Sequence, residues 1–473
     1  MIRILSLSLL LISCSNPLYA DAPAPHTDEL SLDAEVLPID TIRQSTGLAG
    51  LSVAVVNDYT AVATAQAGLR DKASQLPVTA ETRFSTASIS KPVTATLALM
   101  LVEEGKLALD TPINHYLKQW KLPENAFTQQ VPVTLRHLLS HTAGTSQSGF
   151  ADFYAGDTIP DILQSLEGNL PRYNKPVHVT MLPGETWQYS GGGYTIVQLA
   201  IEEITGMPLA EFAQKRLFTP LNMRHTSMIQ PGEKLFDSNA AKVYDEQGEL
   251  IRDGLPICPQ IAASGMWSTA GDLARFLIEY QRALAGEKTA AVSEWVATTA
   301  TTIETLDFTG GWSAGWMRAE GYGNLDWFSH GGSNTGTGGH IMATMEKGKA
   351  IVMLGNGANN MRIPAFNEFR DTVIKQMGWA EPLNKMATPA KAGNAIVGEA
   401  RVVEVPENRL RARLLHRQIV VGALPQVALL PVAGDTGLGA DVRSRCLRGC
   451  RVVRLGCRRL RPAISDSSVR TAW

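Results

Sequence analysis

Cysteine is nearly missing from this 473-residue sequence: between Asp21 and Asn394 only Cys258 occurs. The body of the chain therefore has no internal disulfide open to it and must rest on a hydrophobic core. Cys446, Cys450 and Cys457 gather near the end, but they contain no Cys-x-x-Cys pair and make a weak metal motif. An excess of one charge is missing too. Lys plus Arg number 43 against 45 Asp plus Glu, a formal net charge of −2, which gives no field to draw nucleic acid or an anionic membrane. No segment after the first residues has the length and apolarity of a membrane span. Aromatic residues fade out at the far end: beyond Glu381 there is no Phe or Tyr, and Trp473 is the single Trp.

What remains is ordinary for a globular enzyme, with 44% hydrophobic and 19% charged residues. At roughly 100–200 residues per domain, the length predicts two or three compact units, or one large domain with an insertion. Met1-Ile2-Arg3 carries one positive charge, and a short apolar run over 4–13 follows. That run is too short for a membrane helix and suits an export signal. Two endings compete. Leu11-Ile12-Ser13-Cys14 matches a lipoprotein box that would lipidate Cys14, and Leu18-Tyr19-Ala20 matches a plain signal-peptidase site. Residues 1–20 are therefore expected to be a signal peptide. The protein is expected to be exported, periplasmic or secreted, with a membrane anchor only through Cys14. Residues 21–40, rich in Pro, Asp and Ala, read as a linker.

Residues 41–380 carry the periodic signal. The run 51–56 predicts a strand, Asn57-Asp58 a turn, and 61–67 the returning strand of a hairpin. An amphipathic helical pattern begins near Ser88, with Val93, Leu97, Met100 and Leu101 on one face and Gly105 as its stop. Pro92 is close enough to the start to be tolerated. Helices are expected over 135–141, 194–205, 209–218 and 269–284. Strands are expected over 312–318, 325–329, 339–345 and 350–354, and a last helix over 364–377. Strands at both ends with helices between predict an α/β (α+β) fold, its sheet built from both termini and carrying a helical insertion. Residues 381–473 differ: fourteen arginines and no lysine lie between Arg401 and Arg470. Such a stretch is a poor core former. It reads either as a basic tail for anionic polymers or as a segment foreign to the native protein, such as a shifted frame; the composition favours the second.

Three segments carry chemistry. Ser88-Ile89-Ser90-Lys91 is the one Ser-x-x-Lys in the chain, a pattern that chance supplies on the order of once at this length. Its position raises its weight. At a helix start, a spacing of three puts both side chains on one face, and the free N–H groups favour negative charge developing at Ser88. A serine hydroxyl needs a base, and a lysine serves only if burial or a neighbouring cation lowers its pKa. The structural alternative is a capping serine beside a solvated lysine. The second segment, Pro183 to Tyr194, holds Tyr189, whose phenol would shuttle a proton if a cation such as Lys91 depressed its pKa. Gly191, Gly192 and Gly193 would let backbone approach a ligand closely. The alternatives are a core tyrosine and a flexible loop. The third segment is Phe328 to Gly336. There Gly331 and Gly332 leave a strand edge open to substrate and His330 would polarise it; the alternative is a Gly-rich turn with a surface histidine.

In order and spacing, Ser88-x-x-Lys91, Tyr189-Ser190-Gly191 and His330-Gly331-Gly332 resemble the three signature boxes of the serine β-lactamase and penicillin-binding-protein superfamily. The branch it resembles holds class C β-lactamases, D-alanyl-D-alanine carboxypeptidases and family VIII carboxylesterases. The stretches 133–144, 217–228 and 263–274 are also similar, and the likeness covers about 40–380. It implies a β-lactamase/transpeptidase-like fold and a cofactor-free, metal-free acyl transfer. Ser88 would attack a carbonyl, Lys91 and Tyr189 would share the proton work, and the amides of Ser88 and Ser333 would bind the oxyanion. The choice of base between Lys91 and Tyr189 stays open. The implied partner is a small ester or amide substrate, a peptidoglycan peptide and a β-lactam among the candidates, with no nucleic acid. Two departures bear on substrate. Gly191 stands where such lactamases and peptidases usually have Asn, and His330 where Lys is usual, with a charge expected to vary near neutral pH. Both weaken recognition of a β-lactam and leave acyl transfer intact. A β-lactamase-like carboxylesterase or a D-Ala-D-Ala-type peptidase is therefore expected ahead of a true β-lactamase, with a penicillin-binding sensor that does not turn over as the non-enzymatic alternative.

Two motifs compete. Gly311-Trp312-Ser313-Ala314-Gly315 matches a Gly-x-Ser-x-Gly elbow, which needs a strand before the serine and a helix after it. A strand-like stretch follows instead, so Ser313 is expected to be structural. His137 and His141 are four apart, as zinc ligands on a helix can be, but lack the glutamate and a third ligand, so core or capping roles are expected.

Overall fold

The computed structural model describes residues 29–32, 35–169, 175–307, 310–322 and 325–379. The expected signal segment 1–20 and the Arg-rich stretch 381–473 lie outside the described residues, as do Cys14, Cys446, Cys450 and Cys457.

The apolar run near the start forms the strand Gly50–Asn57, which turns through Asp58 and Tyr59, both in the left-handed region, into Thr60–Asp71. Its other edge takes the strand Ala350–Gly355, with Val55 opposite Ile351 and Leu51 opposite Gly355. Distant parts of the chain thus meet in the middle of one sheet. From edge to edge its nine strands are Leu76–Pro77, Thr60–Asp71, Gly50–Asn57, Ala350–Gly355, Thr337–Thr344, Leu325–Asn334, Met317–Tyr322, Gly310–Trp312 and Thr305–Asp307. Every neighbouring pair is antiparallel.

The two central strands read as continuous apolar runs because both faces of the sheet are covered. Alternation decides which side chain serves which face. Leu51, Val53, Val55, Ile351 and Met353 join a cluster with Phe366, Phe369 and Val373 of the helix Asn359–Gln376. Ala54, Val56, Val352 and Leu354 join the larger helical core instead. At the centre of that core lies the helix Ser90–Glu103, every residue of which from Ser90 to Leu101 is buried. The amphipathic pattern expected there is a helix covered on all sides. Gly105, at φ +71°, ends it as expected.

Several boundaries differ from the sequence reading. The stretch read as a linker holds an antiparallel pair, Glu29–Leu32 with Glu35–Pro38, which buries Leu30, Leu32 and Leu37 under the sheet. Four-residue strands carry too little periodicity to stand out from Pro- and Asp-rich surroundings. The expected strand 312–318 is two strands separated by a tight turn with Gly315 at φ +84°. The helix expected over 209–218 is Leu209–Ala213 followed by a wider π turn, Gln214–Phe218. The final helix begins at Asn359, where Gly357-Ala358-Asn359-Asn360 carries no apolar signal.

Candidate active site

Ser88 is delivered by a short ladder. Phe84–Ser85 pairs with Trp267–Ser268, Thr86 N–H donates to Met266 O at 2.9 Å, and Ala87 bridges Gly265. Ala87 itself sits at φ +50°, a conformation that costs a residue with a Cβ about 1–3 kcal/mol. The ladder and the turn bonds hold it there: Ala87 O accepts from Ser90 N–H at 3.0 Å and from Ser90 Oγ at 2.7 Å. The helix proper starts at Ser90, two residues later than expected, so half-buried Ser88 stands in the turn before it.

Lys91 is buried in the first turn, and Nζ donates to Ser88 Oγ at 3.1 Å and to Ala263 O at 2.8 Å. Burial pushes its pKa down to about 7, the condition the sequence reading set for a lysine base. Nζ also lies over the rings of Tyr189, 4.8 Å from the centroid, and Tyr194, 5.7 Å away.

Tyr189 hydrogen-bonds to Ser88, yet burial pushes its phenol above the ordinary value. The expected depression by Lys91 is absent: burial outweighs the hydrogen bond with Ser88 that favours the ionised form. Burial thus favours the neutral phenol of Tyr189 at neutral pH. The glycines that follow open the helix Gly191–Thr205, capped by Ser190 Oγ accepting from Gly193 N–H at 3.0 Å. They are packed rather than flexible. Gly191 N–H donates to Ser148 O and Gly192 N–H to Gln147 O. A Cβ at Gly191 would meet Ser148 O at 3.1 Å, and one at Gly192 would meet Ser146 O at 2.6 Å. The backbone of Ser148 thus crowds the Cβ position at Gly191, and that of Ser146 closes the one at Gly192.

The third box lies on the strand Leu325–Asn334, which has no paired neighbour on its Met317–Tyr322 side past Ser329 among the described residues. Here the strand crosses the nucleophile turn: a Cβ at Gly332 would stand 2.0 Å from Thr86 O and 3.2 Å from Ser88 N. Gly331 faces open space. His330 is buried, with Nδ1 2.6 Å from Gly331 O. A carbonyl only accepts, so Nδ1 carries the proton and Nε2 presents its lone pair. Burial, with Lys91 nearby, lowers its pKa to about 3. The histidine expected to change charge near neutrality is therefore neutral throughout that range. Behind the strand, buried Arg362 donates to Gly332 O at 3.0 Å and to Ser333 Oγ at 3.1 Å. These bonds fix the strand against the final helix.

The structure thus brings Ser88, Lys91, Tyr189, Gly191, His330, Gly331, Gly332 and Ser333 to one place. Ser313 lies in the turn between two strands, fully buried, with Oγ donating to Trp316 O at 3.0 Å. That is structural, as expected. His137 closes a capping box with Thr134. His141 has a larger part than expected, packing against Tyr189 with ring centroids 4.3 Å apart. Sequence reasoning also missed two tryptophans. Trp187 and Trp312 lie 5.3 Å apart, and Trp312 sits 5.9 Å from Tyr189 and 5.7 Å from His330, giving the site an aromatic wall. The spacing of Trp187 two residues before Tyr189 was the available signal; Trp312 comes from a remote strand and had none.

The family model described as Beta-lactamase matches residues 39–372. Among curated relatives, "Esterase EstB" of Burkholderia gladioli is 32% identical over 199 residues, covering 40% of this chain and 49% of that protein. The match thus spans about half the length of the esterase. "Penicillin-binding protein 4" of Amycolatopsis lactamdurans is 26% identical, covering 67% of this chain and 83% of that protein. Among solved structures, D-amino acid amidase from Ochrobactrum anthropi SV3, complexed with L-phenylalanine amide, superposes with a TM-score of 0.60 at 23% identity, over 72% of this chain and 97% of that one. The class C beta lactamase from Rhodobacter sphaeroides gives 0.54 at 22% identity, over 71% and 98%. These two are likenesses of fold.

Proposed function

The chain belongs to the Beta-lactamase family, and from that premise we propose that it is an exported serine hydrolase that cleaves carboxylic esters in preference to amides through an acyl-Ser88 intermediate. The observation that carries the reading is Lys91 Nζ, 3.1 Å from Ser88 Oγ and buried so that its pKa falls to about 7. A substantial neutral fraction then exists at neutral pH, where a general base works best. Neutral Lys91 takes the Oγ proton as Oγ attacks the carbonyl carbon. The tetrahedral oxyanion forms where the Gly332–Ser333 strand meets the Ser88 turn, with the amides of Ser88 and Ser333 as its donors. The proton returns to the leaving oxygen through Lys91 or through the Tyr189 phenol, which Ser88 already contacts. Water then attacks the acyl carbon by the same route in reverse.

Ester preference rests on two features. Gly191 has no side chain to bind a substrate amide, with Ser148 O crowding its Cβ position, and His330 offers a substrate carboxylate no charge. Export rests on the pattern of residues 1–20 alone. A p-nitrophenyl ester, a chromogenic cephalosporin and a D-Ala-D-Ala peptide assayed side by side, with Ser88→Ala as control, test the reading. Turnover led by the ester and lost in the variant is expected. Faster turnover of the cephalosporin or peptide overturns the ester preference; stoichiometric labelling without turnover overturns the enzyme reading in favour of a sensor.

A further inference from the structure

Tyr189 is held from both sides by one residue that no catalytic box contains. His141 O accepts from Gln188 N–H at 2.7 Å, and His141 Nδ1 accepts from Ser190 N–H at 3.1 Å. The two amides flanking Tyr189 are thus tied to a single histidine. Its ring packs 4.3 Å from the Tyr189 ring, 5.3 Å from Tyr194 and 5.2 Å from Trp312, measured between centroids. The backbone of His141 is at φ +60°, a conformation rare for a residue with a Cβ. That twist brings its carbonyl and its ring to bear on the same three-residue segment. Tyr194, whose hydroxyl donates to Leu139 O at 2.9 Å, closes the other side of the ring.

Resting on the hydrolase reading above, we infer that His141 is the positioning residue of Tyr189, fixing the phenol over Lys91 and against Ser88 through two hydrogen bonds and a ring contact. Only a neutral imidazole with its lone pair on Nδ1 accepts the Ser190 amide. Burial, with Lys91 and His330 nearby, keeps the ring neutral by holding its pKa well below the ordinary histidine value. His141 touches no reacting atom; it acts through Tyr189.

Two substitutions separate positioning from simple packing. His141→Asn removes the ring but places Oδ1 near the position of Nδ1 and tolerates the left-handed backbone. His141→Phe keeps a ring and loses the acceptor. Each is measured for kcat, KM, melting temperature and rate of reaction with a fluorophosphonate at Ser88. We expect His141→Phe to lower kcat by about 100-fold with KM little changed, and His141→Asn to recover most of kcat although it fills the core less well. A filler role predicts the opposite order, with the Asn variant the worse in both kcat and stability. His141→Gly, which relaxes the backbone without supplying an acceptor, replaces the Phe variant if that one does not fold, and it too should lack the recovery seen with Asn. Phe or Gly variants as fast as the wild type overturn the inference alone. A wild type that does not react at Ser88 overturns the hydrolase reading, and this inference with it.

Discussion

Lys91 Nζ donates to Ser88 Oγ across 3.1 Å, and the lysine that makes this contact is buried with its pKa lowered to about 7. The base and the nucleophile are therefore matched at neutral pH. Activity should rise with pH through an apparent pKa near 7, because the neutral amine is the active form. His330, neutral above about 3, contributes nothing to that limb. His330→Gln should keep the limb whatever it does to the rate. Loss of the limb in that variant would assign it to His330 and contradict the account.

The same burial has a consequence for stability. In the folded chain Lys91 loses its proton near 7, in the unfolded chain near 10.5. Between those values the unfolded state binds more protons, so stability rises with pH across the window. Lys91→Met lacks this contribution. The melting temperature of the wild type relative to Lys91→Met should climb from pH 7 toward pH 10; a difference that stays flat means Lys91 is not shifted.

Two adjacent glycines should respond in opposite ways. A Cβ at Gly332 meets Thr86 O at 2.0 Å, whereas one at Gly331 meets nothing within 4 Å. Gly332→Ala should push the strand off the nucleophile turn and lower kcat/KM by about 100-fold or more. Gly331→Ala should leave the strand in place against the turn, with the wild-type melting temperature and a smaller loss of kcat/KM. Equal effects would mean the strand does not lie against Ser88 as described.

Much of this site was legible in the sequence, and the rest was hidden for identifiable reasons. Ser88 and Lys91 are three residues apart, and the central strands 51–56 and 350–354 announce themselves by apolar runs, broken only by Ser52. Local spacing sufficed there. The clamp by His141 was invisible because its ring bonds an amide 49 positions away and its backbone adopts a conformation that histidine seldom takes. The direction of the Tyr189 and His330 shifts was also hidden, since burial sets both.

Gly191 should not be convertible. Ser148 O stands 3.1 Å from the Cβ position there. Gly191→Asn is expected to destabilise the fold by about 1–3 kcal/mol and to bring no gain in cephalosporin turnover. A variant that folds as well as wild type and hydrolyses a cephalosporin would show that the 146–148 segment yields.

Trp379 closes the described unit, buried with its ring 6.4 Å from that of Trp327. A chain ending after Trp379 should keep wild-type activity and melting temperature. One ending after Gly378 should lose about 3 kcal/mol, as expected for a buried Trp side chain. Loss of activity in the longer truncation would give the Arg-rich stretch a role in catalysis.

The central claim is that the acyl group is carried by Ser88. The most direct measurement is intact-protein mass spectrometry after a fluorophosphonate or an acid-quenched p-nitrophenyl ester, followed by peptide mapping. A single adduct on the peptide holding Ser88, absent from Ser88→Ala and retained in Ser313→Ala, is the predicted result. An adduct on Ser313, or ester turnover that survives Ser88→Ala, would contradict it.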